Sequence, residues 1–233
     1  SMAKITWLTR TPARARSLKI GNQCRRCKST VSPRTRVFGL RPKGGEMSNE
    51  INPDAGRALV AQHPKVVSLS AAVQIPAIVD HDVAGGPLGI FESGAILIHL
   101  AEKTGAFLPK DVRARSQVLQ WLMYQMSHVG PIIGQTGHFV NQAPEKVPYA
   151  IQRFVNESVR IIGVLNTGLA GKEFLAGEYS IADMATYPWV AAAWGPFKAI
   201  MPEKIAELGN VQRWMEALAA RPAVQRGMAV PPA

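Results

Sequence analysis

The sequence predicts an α/β domain followed by an all-helical domain. Short β-branched segments with turn residues between them occur only before residue 92, whereas every periodic segment after residue 110 has helical spacing. The chain has 233 residues, of which 47% are hydrophobic, so it is long enough to form two cores. We place the domains at residues 1–109 and 110–233.

Composition excludes several classes of protein. No run of about 18 apolar residues is free of charge, so we expect no membrane-spanning helix. Two cysteines cannot form a disulfide scaffold and supply only half of a structural zinc site, so we expect no metal.

The positive charge is concentrated at the front. Residues 1–66 hold 14 Lys and Arg against 3 Asp and Glu, whereas residues 67–233 hold 13 of each. A basic segment of this kind is typical of a transit peptide or of phosphate contacts with nucleic acid. Pro12, Gly21 and Pro33 interrupt any long helix, and stacking aromatics are scarce, so we expect neither role.

The pair Cys24-Arg25-Arg26-Cys27 has the spacing of a thiol redox motif, and its arginines would lower a thiol pKa. Such a pair normally follows the first strand directly. The predicted first strand is residues 4–8, well before Cys24. A redox pair, half of a zinc site and two incidental thiols all remain open.

We predict that the first domain closes with a β-hairpin followed by a helix. We predict a buried strand from Pro76 to Asp80, a turn over residues 81–86 and a second strand from Pro87 to Phe91. An apolar helix follows, with Ser93 as its predicted cap. The amides of its first turn and its positive dipole end favour a carboxylate ligand.

Helices account for the back half. We predict the first over residues 110–126, with a break or kink at Gly130-Pro131. Its predicted core face carries Val112, Leu119, Leu122, Met123 and Met126. A second covers residues 149–169, and its apolar rows are Ile151, Val155, Val159, Ile162 and Leu165. Further predictions are a capping box at Ser180 and Asp183, a staple between Tyr179 and Met184, a kink at Pro188, and a last helix capped by Asn210.

Several motifs, taken together and in order, resemble the glutathione S-transferases. They are Gln74-Ile75-Pro76-Ala77, Phe91-Glu92-Ser93-Gly94-Ala95-Ile96-Leu97, Gln120-Trp121-Leu122, Gly130-Pro131 with Gly134-Gln135, His138-Phe139, Pro148-Tyr149-Ala150-Ile151 and Tyr179-Ser180-Ile181-Ala182-Asp183. The back-half motifs are similar to the bacterial Nu class of disulfide-bond reductases. The resemblance covers residues 74–230 and implies a thioredoxin-like domain followed by a helical domain.

The resemblance also implies a set of site residues. Thr11 would donate its hydroxyl to the glutathione thiolate, although Ala13 stands where the family has an asparagine. Glu92 would take the ligand's ammonium group, Ser93 would take its carboxylate, and the backbone of Ile75 would pair with the extended tripeptide. The remaining implied glutathione contacts are Glu46, Gln74, Pro76, Arg153 and His138, of which Arg153 would reach glutathione across the dimer.

The implied activity is reduction of disulfides or hydroperoxides by glutathione, with weak conjugation of small electrophiles, in a cytoplasmic homodimer. Glutathione or glutathione disulfide would be the ligand, and no metal is implied. The alternative is a non-catalytic scaffold of the same fold, with a basic segment that binds nucleic acid. Residues 14–73 do not resemble the family, and divergence and a shifted reading frame remain as two explanations.

Overall fold

The computed structural model describes residues 35–37 and 76–229. By their internal contacts they divide into two compact units, one of residues up to Gly105 together with those from Gly227, and one of Ala106–Arg226. The elements in chain order are β1 Thr35–Val37, β2 Ala77–Asp80, β3 Leu88–Phe91, α1 Ser93–Thr104, α2 Val112–Tyr124, α3 Gly130–Gly137, α4 Pro148–Gly168, α5 Ile181–Ile200, α6 Pro202–Ala206, α7 Gly209–Ala219 and α8 Pro222–Met228.

The first unit contains an antiparallel sheet of order β1-β2-β3. Ala77 lies opposite Phe91 and Asp80 opposite Leu88, so the predicted hairpin is confirmed. All four residues of β2 are buried, which explains its continuous apolar run. Helix α1 lies against the hairpin, buries Ile96, Leu97 and Ala101, and ends at Gly105 in the left-handed conformation.

The second unit is helical and has one apolar core. Buried residues from α3, α4, α5, α6 and α7 and from the loop after α4 contribute to it: Val129, Ile133, Ile161, Ile162, Leu165, Leu169, Phe174, Leu175, Val190, Ala193, Phe197, Ile205, Leu208, Val211, Trp214 and Leu218. The predicted apolar rows of α4 are confirmed at Val155, Val159, Ile162 and Leu165.

The capping box that begins α5 is also confirmed. The side chain of Ser180 accepts a hydrogen bond from Ala182 N–H, and the Ser180 N–H donates to Asp183 Oδ2 at 3.0 Å. Helix α5 then runs without interruption through Pro188 and Pro196. The ring of Tyr179 lies against Phe107 and Phe174, and its contact with Met184 stays a prediction.

Three helix predictions are wrong in whole or in part. The predicted core face of α2 is covered only in part: Leu122 is buried, whereas Val112 is 80% exposed and Met123 48% exposed, and Val118, which was not predicted, is buried too. The buried row continues through a π-helical turn, Gln125–Val129, which leads directly into α3, so Gly130-Pro131 does not end the helical run. Asn210 is not a cap, because α7 begins at Gly209 and the Asn210 backbone N–H donates to Asn166.

Candidate functional site

The site in the first unit is the turn at which β3 passes into α1. Glu92 has φ 68° and ψ 122°, in the left-handed half of backbone space that side chains other than glycine rarely adopt. Such a conformation costs of order 1–3 kcal/mol and is found mostly at functional sites. The turn therefore holds Glu92 in an unfavourable backbone conformation.

The first turn of α1 presents hydrogen-bond donors beside this carboxylate. Ile96 donates its N–H to Glu92 O at 2.9 Å, so the N–H groups of Gly94 and Ala95 lie ahead of the first intrahelical bond. The Glu92 side chain is exposed and makes no capping hydrogen bond. An anionic carboxylate thus lies next to N–H donors and a positive helix end, an arrangement that fits the ammonium and carboxylate of an amino-acid head group.

The prediction that Ser93 caps this helix is wrong. Glu92 is the N-cap and Ser93 is the first helical residue, with its side chain half-buried. The difference arises because the turn forces Glu92 into a left-handed conformation, which lets the helical backbone begin one residue earlier. Ser93 remains at the same helix end as the donors of Gly94 and Ala95.

A buried carboxylate fixes α1 to the hairpin that precedes this turn. Asp80, the last residue of β2, is fully buried and accepts hydrogen bonds from Lys103 Nζ at 2.6 Å and from Asp82 N–H at 2.9 Å. His99 Nε2 lies 2.8 Å from its second oxygen. Burial raises the pKa of Asp80, but the hydrogen bonds from Lys103 and His99 outweigh it and hold the pKa at about 2.

Sequence reasoning missed this cluster, although it left a signal. His99 and Lys103 are four residues apart and so share one face of α1, and Asp80 ends an otherwise apolar strand. A charged residue at the end of a buried strand needs a partner, and the next helix offers two. The cluster makes the hairpin and α1 one rigid support for the Glu92 turn.

Two of the predicted site residues lie in the helical unit. Arg153 is exposed on the second turn of α4. Hydrogen bonds from Arg160 lower the pKa of nearby Glu157, and the charge of Arg153 contributes to the same shift. His138 is exposed, and its ring makes an edge contact with Phe139 at 5.1 Å between centroids.

The other predicted site residues lie outside the described residues. They are Thr11, Glu46, Gln74 and Ile75, together with the cysteine pair Cys24 and Cys27 and the predicted first strand over residues 4–8. Pro76 is described and lies half-buried directly before β2.

No group of three or more His, Cys, Asp or Glu within residues 76–229 is arranged to hold a metal ion. None of the helices listed above combines the length and the apolar character that a bilayer crossing needs.

Comparison with known proteins gives consistent matches. The model of the glutathione S-transferase C-terminal domain matches residues 148–217. The chain is 45% identical over 168 residues to the disulfide-bond oxidoreductase YfcG of Escherichia coli K12, a match that covers 71% of this chain and 76% of that protein. It is 41% identical over 167 residues to YghU of the same organism, covering 70% of this chain and 58% of that protein.

A solved structure agrees in sequence and fold. A glutathione transferase from Pseudomonas putida, with one glutathione disulfide bound per subunit, is 42% identical with a TM-score of 0.69, covering 78% of this chain and 79% of that one. The thioredoxin-like domain followed by a helical domain, expected from the sequence, is therefore the fold of this protein. The chain belongs to the glutathione S-transferase family.

Proposed function

We propose that this protein is a glutathione-dependent disulfide-bond oxidoreductase. The observation that carries the proposal is the Glu92 turn, which occurs in a chain 45% identical to an oxidoreductase of that name. The related Pseudomonas putida transferase has glutathione disulfide bound, the oxidised form of the same ligand. The comparisons do not favour the alternative of a non-catalytic scaffold.

The Glu92 turn fits the γ-glutamyl end of glutathione. That end carries an ammonium group and a carboxylate on one carbon, which match the Glu92 carboxylate and the N–H donors of Gly94 and Ala95. Ser93 lies at the same helix end and would add its hydroxyl. The strain at Glu92 supports this assignment, because a cap alone would not need a left-handed residue.

The other predicted contacts follow from the shape of the ligand. An extended tripeptide pairs with exposed backbone, which we assign to Ile75 ahead of Pro76 and β2. Glu46, Gln74, Arg153 and His138 complete the proposed contacts. Arg153 would neutralise a ligand carboxylate, and its exposed position on α4 leaves its guanidinium accessible.

Glutathione, when bound, supplies the thiol that reduces a disulfide, so the proposed reaction needs no cysteine of the protein. The task of the protein is then to ionise that thiol. A free thiol with a pKa near 8.5 is only a few per cent ionised at neutral pH, and each unit by which the pKa falls reflects about 1.4 kcal/mol of anion stabilisation. We assign this role to the hydroxyl of Thr11.

Small disulfides are the proposed acceptors, with hydroperoxides and small electrophiles as further acceptors for the same thiolate. We also propose that the protein acts in the cytoplasm, since the glutathione pool there is kept reduced. The basic segment lies outside the described residues, so the expectation that it does not bind nucleic acid stays a prediction.

We further propose a homodimer in which α2 contributes to the interface. An open apolar stripe on α2 is formed by residues that recur at helical spacing: Val112, Ser116, Leu119 and Met123. Arg115 and Gln120 line the same face. A methionine and a valine exposed on one stripe are typical of a surface that a partner covers. In a homodimer with a twofold axis, the α2 stripe of one subunit would pack against the α2 stripe of the other, so that each covers the other.

Calorimetric titration of the purified protein with glutathione and with glutathione disulfide tests the proposed function. We expect binding in the micromolar to millimolar range, glutathione-dependent reduction of a small disulfide, and at least roughly tenfold weaker binding in Glu92→Ala. The matched control is Glu102→Ala at the opposite end of α1, which should bind as the wild type does. Absence of binding of either ligand would refute the proposal.

A further inference from the structure

Helix α1 is fixed to the hairpin at the end opposite to the Glu92 turn. Lys103, in its last turn, donates to both carboxylate oxygens of Asp80 at 2.6 Å and to the backbone carbonyl of Asp82 at 2.9 Å. One turn earlier, His99 Nε2 reaches the same carboxylate at 2.8 Å, and it must be the donor because an ionised carboxylate only accepts. The far end of α1 is therefore held by directional, charge-assisted hydrogen bonds.

The register of the hairpin shows how these contacts relate to the Glu92 turn. Asp80 lies opposite Leu88 beside the hairpin turn, and Phe91 at the other end of β3 leads directly into Glu92. Helix α1 therefore returns along the hairpin from the Phe91 end to the Asp80 end. It is attached by the chain itself at Glu92 and by the Asp80 hydrogen bonds at its far end.

The direction of α1 and the backbone of Glu92 are linked. The 12 residues of α1 form one continuous helix, so its direction relative to β3 depends mainly on the dihedral angles at the junction. A strained residue such as Glu92 persists only where the surrounding structure requires its conformation. The apolar contacts of α1 are non-directional, whereas the hydrogen bonds to buried Asp80 specify where the far end of the helix lies.

We propose that Lys103 and His99 are positioning residues for the γ-glutamyl head group of glutathione. By binding Asp80, they hold α1 in the direction that keeps Glu92 left-handed and its carboxylate beside the N–H groups of the first helical turn. They act through the Glu92 turn and not by contact with the ligand, and they raise affinity because the site is formed before the ligand binds. This inference rests on the proposed function, since it concerns the same binding site.

A double-mutant cycle in stability tests whether the Asp80 contacts impose the strain. Glu92→Gly relieves the strain and should raise the urea midpoint of the wild type. In Lys103→Met, which removes the ammonium group and keeps an unbranched side chain, α1 is free to change direction and Glu92 relaxes. Glu92→Gly should then raise the midpoint by less than about half as much. An equal rise in both backgrounds, or no rise in the wild type, would overturn the proposal.

Calorimetric titration of the same variants with glutathione tests the effect on binding. Lys103→Met should weaken binding roughly three- to tenfold, because a smaller fraction of molecules holds the binding conformation. Lys103→Arg keeps a cation that can reach Asp80 and should retain most of the affinity. His99→Phe should weaken binding in the same direction, whereas His99→Gln keeps a donor and should not. Lys110→Met is the matched control, since Lys110 is an exposed lysine outside the cluster.

The Glu92→Ala background separates positioning from a general loss of structure. With the carboxylate absent, Lys103→Met should weaken glutathione binding by less than about twofold more, whereas structural damage would weaken binding equally in both backgrounds and overturn the proposal. If Lys103→Met fails to fold because Asp80 loses its counter-ion, the paired variant Asp80→Asn with Lys103→Met removes both charges and is expected to give the same results.

The outcome for the wild type distinguishes this inference from the proposed function. Absence of glutathione binding to the wild type would refute the proposed function and this inference with it. Binding to the wild type, with the same affinity in Lys103→Met, would overturn this inference alone.

Discussion

At the scale of single residues, Glu92 combines backbone strain with a proposed binding role. Its φ of 68° would suit glycine, yet the position holds a carboxylate. Glu92→Gly should therefore raise the free energy of unfolding by about 1 kcal/mol, while it weakens glutathione binding roughly tenfold or more. Urea unfolding and calorimetry of one preparation measure both effects.

The control for Glu92→Gly is Glu92→Ala, which removes the carboxylate but keeps a Cβ in the strained conformation. It should lose binding without gaining stability. If Glu92→Gly were no more stable than Glu92→Ala, the left-handed conformation would not be strained, and the argument from strain to function would fail.

In the proposed function, the hydroxyl of Thr11 stabilises the bound thiolate, and Ala13 supplies no side-chain donor. If the Thr11 hydroxyl stabilises the thiolate, Thr11→Ala should shift the pH of half-maximal activity upward by about one unit, and Thr11→Ser should restore it. Ala13→Asn adds the amide donor of the family and should shift the same midpoint downward. The measurement is kcat/KM against pH, and an unchanged midpoint in Thr11→Ala would exclude the hydroxyl as the donor.

Asp80 links stability to pH. Its pKa of about 2 in the folded protein lies below the ordinary value of 3.8, so folding favours the ionised form. The resulting stabilisation, about 2 kcal/mol, is fully present above about pH 4 and is lost as the pH falls toward 2. Asp80→Asn should lower stability by about 3 kcal/mol at neutral pH, because Lys103 loses its carboxylate.

The stability gap between wild type and Asp80→Asn should narrow as the pH falls below about 4, which urea unfolding at several pH values measures. Asp82→Asn is the control, because its carboxylate is 46% exposed and 3.6 Å from Lys103. Asp82→Asn should lower the free energy of unfolding by less than about 1 kcal/mol. A gap that stays constant down to pH 3 would mean that the ionisation of Asp80 is not coupled to folding.

At the scale of elements, Gly168 at the end of α4 illustrates a close approach between helices. A Cβ on Gly168 would lie within 2.4 Å of two ring carbons of Trp121, whereas a Cβ on Gly163 of the same helix would meet nothing within 4 Å. Gly168→Ala should therefore destabilise the protein by about 1–3 kcal/mol, because the Trp121 ring must move. Gly163→Ala should stabilise it by up to about 1 kcal/mol.

Thermal unfolding of Gly168→Ala and Gly163→Ala measures how the same substitution changes stability at two positions of α4. Equal effects of the two substitutions would show that the Trp121 ring moves aside at no cost. The edge contact of Trp121 with Tyr124, at 5.7 Å between ring centroids, argues against this, because it restricts movement of the Trp121 ring.

The elements differ in how far sequence could predict them. The hairpin and the Ser180–Asp183 box were predictable because their signals are local: turn residues, β-branching and a cap with its partner three residues on. The exposed face of α2 was not, because Val112 and Met123 have the same spacing and apolarity as a buried stripe. Only the position of the other helices decides which of two apolar faces is covered.

At the candidate site, too, local signals were predictable from the sequence, whereas contacts between distant residues were not. The motif around Glu92 predicted the candidate turn, since carboxylate and helix start are adjacent in sequence. Its left-handed backbone and the Asp80 support were not predicted, because both arise from contacts between the hairpin and α1. Asp183 shows the same limit: the box predicted its bond to Ser180, but not the bond from Trp214 Nε1 at 2.9 Å, 31 residues away.

At the scale of the whole molecule, the exposed stripe of α2 is the proposed interface of the homodimer. Met123→Glu places a carboxylate on this stripe, and in a twofold interface the change would occur twice and bring like charges together. We expect the wild type to sediment as a dimer at micromolar concentration and Met123→Glu to sediment as a monomer. Gln117→Glu adds the same charge to another exposed face of α2 and should leave the dimer intact.

Glutathione titration of these variants separates assembly from binding. If Arg153 contributes to the site of the partner subunit, as the family resemblance implies, monomeric Met123→Glu should bind glutathione more weakly, and Arg153→Ala should weaken binding in the dimer alone. A wild type that sediments as a monomer would exclude the dimer. A dimer that persists in Met123→Glu would instead assign the interface to another surface and leave the α2 stripe free for a different partner.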